Sequence, residues 1–248
     1  MPAERIGAWL PQTSADKLAN VRDHHGAGLN DGATIEATFC FVDIAGYTAL
    51  TDTHGEHAAA NLVDDFADLI RTSVEPLGHL QSLIGDCAFL VFSNPSVAMT
   101  ALSALYGSIA DRQNFPVVRA GLHHGSALLR GNRHFGSTIN IAARVAAQAT
   151  GGQILCTECV AESLGRADVL EYEIKPRGQV SLRNLPEPME LFEVVLSGAP
   201  RQYAIDPVCK MQVDTQRAVG DLVYNHRKYW FCSLACVERF SKRPHSYA

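Results

Sequence analysis

Two aspartates stand at the ends of apolar stretches in the first half of the chain. Asp43 follows the apolar run at residues 37–42, and Asp86 lies in a Gly-Asp pair between "HLQSLI" and "CAFLVF", which predicts a tight hairpin. Two carboxylates brought together across adjacent strands repel each other unless a cation lies between them. Such hard oxygen ligands suit Mg²⁺ or Mn²⁺. The alternative is a solvated strand end at Asp43 and an ordinary turn at Asp86.

A second pair of polar residues lies in "FGSTINIAARV". Asn140 and Arg144 are four residues apart, so they project from one face of the predicted helix. An amide beside a guanidinium suits the orientation of a ribose and the stabilisation of charge on phosphorus. Taken alone, the pair fits an exposed polar face equally well. Small residues are predicted to cover the packed opposite side: Ala142, Ala143, Ala146 and Ala147.

The third candidate site is a group of cysteines near the C-terminus. Cys232 and Cys236 are one helical turn apart, and Cys209 can approach them from a preceding loop. Three thiolates suit Zn²⁺ or Cu⁺, and His226 is a candidate fourth ligand. The alternative is three buried thiols within an aromatic core. So short a segment buries little apolar surface, which favours a metal as an additional source of stability.

The hydrophobic pattern predicts the elements that must position these residues. A strand at 37–42 is followed by an amphipathic helix, the hairpin around Asp86, a second helix and the strand in "PVVRAGLHHG". The Ala-rich helix of Asn140, a short strand at "GQILC" and a final strand pair complete the pattern. This order predicts an α+β fold, a ferredoxin-like sandwich with its helices on one face of the sheet.

Charge and composition limit the partners. The 248 residues carry a net charge of −5, which gives no reason to expect nucleic acid or an anionic membrane as a partner. Residues 201–248 hold eight Lys or Arg against four Asp or Glu, unlike the acidic remainder. We therefore predict a linker at 197–203 joining two nearly independent domains. No signal peptide or membrane span is evident, so a cytoplasmic protein is expected.

Four stretches together resemble the catalytic domain of class III adenylate and guanylate cyclases. They are "FCFVDIAGYTAL", "LIGDCAFLVF", "VVRAGLHHGSALLRG" and "FGSTINIAARVAAQATGGQIL", in family order and with family spacing. The resemblance covers residues 34–196 and leaves 1–33 as an N-terminal extension without an assigned function. "DPVCKMQV" and the cysteine-rich end resemble a YHS domain, a small metal-associated module, over residues 204–248.

The resemblance implies roles for individual residues. Asp43 and Asp86 match the ligands of two Mg²⁺ or Mn²⁺ ions per active site, and the Ile44 carbonyl is implied to contact the metal. Asn140 matches the ribose-orienting asparagine and Arg144 the transition-state arginine. The residues implied to contact the triphosphate are Ile44, Gly46, Tyr47, Thr48 and, in place of a family lysine, Arg183.

The implied reaction converts a purine nucleoside triphosphate, ATP in preference to GTP, into a 3′,5′-cyclic monophosphate and pyrophosphate. In the family, metal ligands and transition-state residues come from different subunits, which implies a head-to-tail homodimer. The lysine and aspartate that read adenine are replaced here by Ser82 and Arg133, or by Asn132 if the loop register slips by one. The glutamate and cysteine of guanylate cyclases are absent too. A non-catalytic dimer that senses nucleotide or metal is therefore the alternative.

Four further cysteines belong to the cyclase-like part. Cys156 and Cys159 form a C-x-x-C pair at a predicted strand-to-helix turn, where a redox function is conceivable. Packing is the favoured interpretation, since the family has apolar or small residues there. Cys40 and Cys87 flank the Asp43 region and are predicted to belong to the core.

Overall fold

The computed structural model describes residues 32–75, 77–165, 172–197 and 203–248. Nearly all of the N-terminal extension and of the linker predicted at 197–203 lie outside these residues. No helix within the described ranges is long and apolar enough to cross a membrane.

An eight-stranded sheet forms the centre of the larger part of the chain. Its spatial order is β2-β3-β1-β4-β6-β8-β7, and β5 pairs with β4. The strands are β1 (Ala33–Ile44), β2 (His79–Ile84), β3 (Cys87–Phe92), β4 (Val118–Arg130), β5 (Arg133–Phe135), β6 (Ile154–Thr157), β7 (Tyr172–Val180) and β8 (Met189–Leu196). β1 therefore lies between β3 and β4, antiparallel to both.

Five helices accompany this sheet: α1 (Tyr47–His54), α2 (Glu56–Ser73), α3 (Pro95–Ala110), α4 (Ser137–Gln148) and α5 (Glu158–Gly165). The α+β class is confirmed. The single helix expected after β1 is preceded by a separate short helix, α1. Gly55 divides the two with a φ of 85°, a backbone conformation that glycine adopts without steric cost.

Alternation of side chains along β1 sets up two cores on opposite faces of the sheet. Cys40, Val42 and Ile44 point toward α2, α3 and α5 in the larger core. Ala37 and Phe39 point the other way, toward α4. The prediction that all helices cover one face is therefore wrong, because α4 packs on the second face, alone among the helices of the described residues.

The close approach of α4 to the sheet depends on small residues. A Cβ on Gly121 of β4 would lie 2.0 Å from the backbone nitrogen of Ala146, so only glycine allows this contact. Ala142 and Ala146 are buried there, whereas Ala143 is partly exposed and Ala147 is exposed. The packed side of α4 thus contains two of the four predicted alanines.

The C-terminal part contains four short strands, one helix and a terminal 3-10 turn at Pro244–Ser246. These strands are β9 (Tyr203–Ile205), β10 (Gln212–Asp214), β11 (Gly220–Tyr224) and β12 (Arg227–Phe231), and the helix is α6 (Leu234–Lys242). We call residues 203–248 the tail. Its core places Phe231 and Phe240 in edge-on contact, with ring centroids 5.1 Å apart.

The tail packs against the cyclase-like part, contrary to the expectation of two nearly independent domains. Leu50 of α1 and Ala59 of α2, both fully buried, belong to the same apolar cluster as the tail's Phe231 and Phe240. Backbone hydrogen bonds add to this junction, including one from the Gln212 N–H to the Phe115 carbonyl at 3.0 Å. A shared core of this kind predicts that the two parts unfold together.

Candidate active site and tail metal cluster

The structure brings Asp43 and Asp86 together at one end of the sheet. Asp43 is opposite Cys87 in the β1–β3 register, and the Ile44 N–H donates to the Asp86 carbonyl at 3.1 Å. Burial and the negative charge of Asp43 raise the pKa of the Asp86 carboxyl. The two acids are therefore close enough to repel, as expected of residues that share a cation. The donor set fits the Mg²⁺ or Mn²⁺ that the family resemblance implies.

Arg119 of β4 is the first residue of this site that the sequence analysis missed. It is directly opposite Asp43 in the register, and its Nε donates to Asp43 Oδ2 at 2.8 Å. Its Nη1 donates to the Ala149 carbonyl at 3.2 Å, at the C-terminal end of α4. An arginine within the apolar strand "VVRAG" was the signal available in the sequence. Arg119 links the acidic pair to α4 and neutralises part of its charge.

The turn from β1 into α1 is built to leave backbone amides available. Gly46 precedes α1 with a φ of 77°, and no side chain caps the first turn of that helix. The amides of Tyr47 and Thr48 therefore remain donors at the positive end of the helix dipole, which favours phosphate. Ile44 is buried, and Gly46 and Thr48 are exposed, so solvent reaches the turn but not the strand that supports it.

Asn140 and Arg144 point away from the acidic pair of their own chain. The buried face of α4 contains Thr138, Ala142 and Val145, and at 100° per residue Asn140 and Arg144 fall on the opposite side of the helix. Asn140 is exposed and Arg144 partly exposed. Within one chain, therefore, the two acids do not meet Asn140 and Arg144 at a common point.

The two base-reading positions lie on neighbouring elements. Ser82 is opposite Phe89 in the β2–β3 register and so shares the sheet face of Asp43 and α4. Arg133 is exposed in β5, with its guanidinium 5.2 Å from the ring centre of Phe135. Gln81, also missed from sequence, joins the two strands through hydrogen bonds to the Asn132 carbonyl (2.7 Å) and His134 Nδ1 (2.6 Å).

Arg183 lies in the loop between β7 and β8. It is exposed, between the buried Leu182 and Asn184, whose φ is 58°. The Leu185 N–H donates to the Leu182 carbonyl at 3.1 Å, which closes a turn under the arginine. This turn fixes the backbone and leaves the guanidinium free to reach a ligand.

The remaining cysteines of the cyclase-like part differ in burial and in the environment of their thiols. Cys156 is buried, and burial raises the pKa of its thiol to about 12. Cys159 is exposed and lies 3.2 Å from the Thr157 hydroxyl. Cys40 is fully buried, whereas Cys87 is only partly buried, and burial raises the pKa of Cys87 to about 11. None of these pKa values indicates a reactive thiolate.

The tail cysteines form a compact cluster with a residue from outside the tail. Cys209 Sγ is 3.4 Å from Cys232 Sγ, which is 3.7 Å from Cys236 Sγ. The Nε2 atom of His54, the last residue of α1, is 3.6 Å from Cys232 Sγ. Hydrogen bonds from the other two thiols lower the pKa of Cys236. The predicted candidate His226 is not a member of this group; it lies in the β11–β12 turn with a φ of 62°.

Asp206 orders the two cysteine loops. Its fully buried carboxylate accepts hydrogen bonds from the N–H groups of Val208 (2.8 Å), Cys209 (3.4 Å) and Cys232 (2.9 Å). Burial raises the pKa of this carboxyl. The sequence "DPVC" showed the residue but not its role, because its Cys232 partner is 26 positions away.

Comparison with known proteins followed the same division of the chain. The family model described as the adenylate and guanylate cyclase catalytic domain matches residues 31–198. The YHS domain model matches residues 204–248.

Individual relatives share about 30% sequence identity with this chain. A protein described as a pH-sensitive adenylate cyclase from Mycobacterium tuberculosis is 30% identical over 160 residues, which is 64% of this chain and 40% of that protein. An uncharacterised protein from the same species is 29% identical over 77% of this chain and 50% of its own length. The chain thus spans about half the length, or less, of these relatives.

Solved structures share the fold at low sequence identity. An adenylate cyclase from Trypanosoma brucei superposes with a TM-score of 0.58 at 20% identity, covering 64% of this chain and 87% of that one. The adenylyl cyclase CyaB from P. aeruginosa gives 0.57 at 18% identity, with 68% and 97% covered. Because the family model covers most of the chain, the protein belongs to the adenylate and guanylate cyclase catalytic-domain family, with a YHS domain at residues 204–248.

Proposed function

We propose that the protein is a nucleotidyl cyclase that acts as a homodimer on ATP and carries a metal-binding YHS tail. The observation that carries this proposal is that the candidate site is divided into two groups of residues, which one chain does not bring together. Asp43 and Asp86 converge at one end of the sheet, while Asn140 and Arg144 project from the side of α4 that faces away from the sheet. A second copy in head-to-tail orientation would place its α4 residues over this chain's acids.

The uncovered part of the sheet supports such a dimer. Phe41 and Phe89 stack with ring centroids 4.7 Å apart on the α4 side, yet both remain partly exposed. Ile84, beside the hairpin turn, is 76% exposed. Apolar groups left in contact with water around a candidate site are typical of an interaction surface. We assign this surface to the partner subunit.

The proposed reaction is an in-line displacement at the α-phosphorus. The ribose 3′-oxygen forms the new bond, the α-phosphorus to β-phosphate oxygen bond breaks, and pyrophosphate leaves. Divalent ions held by Asp43 and Asp86, with the Ile44 carbonyl, would supply neutralisation of the triphosphate and a lower pKa for the 3′-hydroxyl.

The chain's other residues bind and orient the nucleotide. The amides of Gly46, Tyr47 and Thr48 would hold phosphate oxygens, and the exposed Arg183 would contact the terminal phosphates. From the partner subunit, the residue equivalent to Asn140 would orient the ribose. The residue equivalent to Arg144 would stabilise the charge that develops on the phosphorus.

The substrate assignment rests on relatives rather than on the base pocket. The mycobacterial and trypanosomal relatives are named as adenylate cyclases. Ser82 and Arg133, however, provide neither of the family's base-reading pairs. This observation favours the second candidate, a weak or inactive cyclase-fold dimer that responds to nucleotide or metal. The intact group of Asp43, Asp86 and the two α4 residues favours the enzyme.

Incubation of the purified protein with ATP or GTP and either Mn²⁺ or Mg²⁺ tests this function. We expect cyclic AMP and an equal amount of pyrophosphate, with a higher rate in Mn²⁺ because a loosely held base leaves more of the binding to the metal and triphosphate. Absence of any cyclic product in a protein that still binds nucleotide would favour the regulatory alternative.

A further inference from the structure

We propose that His54 of the cyclase domain completes a Zn²⁺ site with the three tail cysteines, and that this ion controls the triphosphate-binding turn. The second half of the inference rests on the proposed cyclase function. The first half, the metal site itself, does not.

Four of the six distances between the ligand atoms match those around a tetrahedral ion. Sulfur and nitrogen ligands at about 2.3 Å and about 2.05 Å from Zn²⁺ lie about 3.8 Å apart for two sulfurs and about 3.6 Å apart for sulfur and nitrogen. The measured sulfur pairs are 3.4 and 3.7 Å, and His54 Nε2 is 3.6 and 3.8 Å from Cys232 and Cys236 Sγ. All four ligand atoms lie within 4.8 Å of one another. A Cys₃His set is a common structural zinc centre.

The surrounding protein positions the ligands through burial and hydrogen bonds. The three thiols are buried, and Asp206 fixes the backbone of Cys209 and Cys232. The Ser233 hydroxyl accepts a hydrogen bond from the Cys236 N–H, which begins α6 at the cluster. A site whose ligands are already ordered loses less entropy when it binds its ion.

His54 is presented by the end of α1. The helix stops there because Gly55 takes a conformation with a φ of 85°. Leu50, one turn earlier, is buried in the tail's core, and Arg239 of α6 donates a hydrogen bond to the Asp52 carbonyl. The histidine thus comes from a helix that packs against the tail and is hydrogen-bonded to it.

The same helix leads from the metal cluster to the triphosphate turn. α1 has eight residues and begins directly after Gly46. At its other end, a Cβ on Gly46 would lie 2.6 Å from Cγ of Lys210, the residue that follows Cys209. The Lys210 carbonyl accepts a hydrogen bond from the Val117 N–H at 3.5 Å, and the Val117 carbonyl accepts one from Ala45 at 2.9 Å.

The ion would therefore restrain both α1 and the chain segment that packs on Gly46. It fixes α1 through His54, and it fixes the chain segment that lies on Gly46 through Cys209. Loss of the ion removes these two restraints and leaves only the packing and hydrogen bonds around α1 and Cys209, so the amides that bind the triphosphate are held less firmly. We expect the KM for the nucleotide to rise when Zn²⁺ is removed.

The first experiment measures binding of Zn²⁺ alone to the reduced full-length protein, with a competing chelator, and without nucleotide. We expect one ion per chain. His54→Ala should weaken binding about 100-fold or more, since even loss of a residue that supports a ligand costs 10- to 100-fold. His57→Ala is the matched control, because His57 is exposed and does not belong to the cluster.

The second experiment measures initial rates in Mg²⁺ before and after treatment with a chelator that removes Zn²⁺ but spares Mg²⁺. We expect a higher nucleotide KM in the wild type and in His57→Ala after treatment. His54→Ala should show the higher KM from the start and respond little. Restoring Zn²⁺ should reverse the effect in the wild type.

Distinct results overturn the two halves of the inference. If His54→Ala binds Zn²⁺ as tightly as His57→Ala does, the histidine is not a ligand and the bridging site is wrong. If zinc binds through His54 but leaves the KM unchanged, the control of the turn is wrong. A protein that makes no cyclic nucleotide would refute the proposed function, and the binding experiment would still decide the metal site.

Discussion

The acidic site and the cysteine cluster are at opposite ends of the eight-residue helix α1, and they differ in how completely one chain builds them. At the cluster, four ligand atoms already converge within 4.8 Å. At the acidic site, Asp43 and Asp86 converge but Asn140 and Arg144 project elsewhere. A site made within one chain can be ordered by its own core, whereas a divided site is ordered only by assembly.

The difference also explains where each site can be regulated. The four ligand atoms of the cluster come from both domains of the chain, so under the proposed zinc site the bound ion would act on α1. The divided site, under the proposed homodimer, would depend on a partner subunit, so its activity would change with any shift in the sheet face or in α4. The following predictions test this contrast.

The largest effect is expected from two variants that each remove a residue from a different half of the divided site. Asp43→Ala and Arg144→Ala should each lower kcat by about 100-fold or more, since each removes charge stabilisation from the reacting phosphate. A mixture of the two variants should recover about a quarter of the wild-type rate, because half of the dimers then contain one intact site of two.

The measurement is the rate of cyclic AMP formation as the two variants are mixed in varying ratio. Gel filtration confirms that each variant still dimerises. A mixture that stays inactive, with dimers intact and the wild type active, would contradict the divided site.

Substitutions in the base pocket should change the selectivity between nucleotides but should leave the site divided between two subunits. Ser82→Lys with Arg133→Asp restores the family's adenine-reading pair and should raise the preference for ATP over GTP about tenfold to a hundredfold, as expected for one good polar pair with a base. The ratio of kcat/KM for the two nucleotides measures this.

Arg130 supplies the control for that experiment. It is exposed and lies opposite Arg133 in the β4–β5 register. Ser82→Lys with Arg130→Asp therefore introduces the same charges on the neighbouring strand. We expect no gain in ATP preference from this control. An equal gain in both double variants would mean that charge alone, and not a base-reading pair, sets the preference.

Removal of the Asp206 carboxylate should weaken the cluster and the junction together. Asp206→Asn replaces an acceptor of three backbone N–H groups and should lower the free energy of unfolding by about 1–3 kcal/mol. Because the tail shares its core with Leu50 and Ala59, we expect one unfolding transition shifted as a whole, measured by chemical denaturation.

Asp214→Asn is the matched control, since the partly buried Asp214 carboxylate accepts the N–H of Gln216 and pairs with the exposed Arg217 at 3.9 Å, away from the cysteine loops. It should change the stability much less. Appearance of a separate, early transition for the tail in Asp206→Asn would show that the two parts are independent after all.

An effect on stability of similar size is expected at the contact that positions α4. Gly121→Ala places a methyl group against the Ala146 backbone and should cost about 1–3 kcal/mol of stability by overpacking. Gly107→Ala, in α3, meets no atom within 4 Å and should stabilise the fold by about 0.5–1 kcal/mol. Thermal denaturation compares the two; equal effects would contradict the tight α4 contact.

Local patterns were sufficient for the fold class, and they indicated the side chains that are proposed to be chemically active. The strand before Asp43, the Gly-Asp hairpin and the helical spacing of Asn140 and Arg144 are all short-range signals. They were readable because each depends on periodicity or turn chemistry within a few residues. The four cyclase-like stretches and the family model converge on the same part of the chain.

Only the tertiary structure could identify the partners of these side chains. Arg119 meets Asp43 across 76 positions, and His54 meets Cys232 across 178. α4 was assigned to the wrong face, and the tail was expected to be independent, because helical periodicity shows that a face is buried but not what covers it. The sequence by itself predicted candidate groups for binding a metal or a phosphate but missed His54 and Arg119. The packing of β4, α1 and the tail decided which groups meet, since contacts between distant segments depend on shape and not on local spacing.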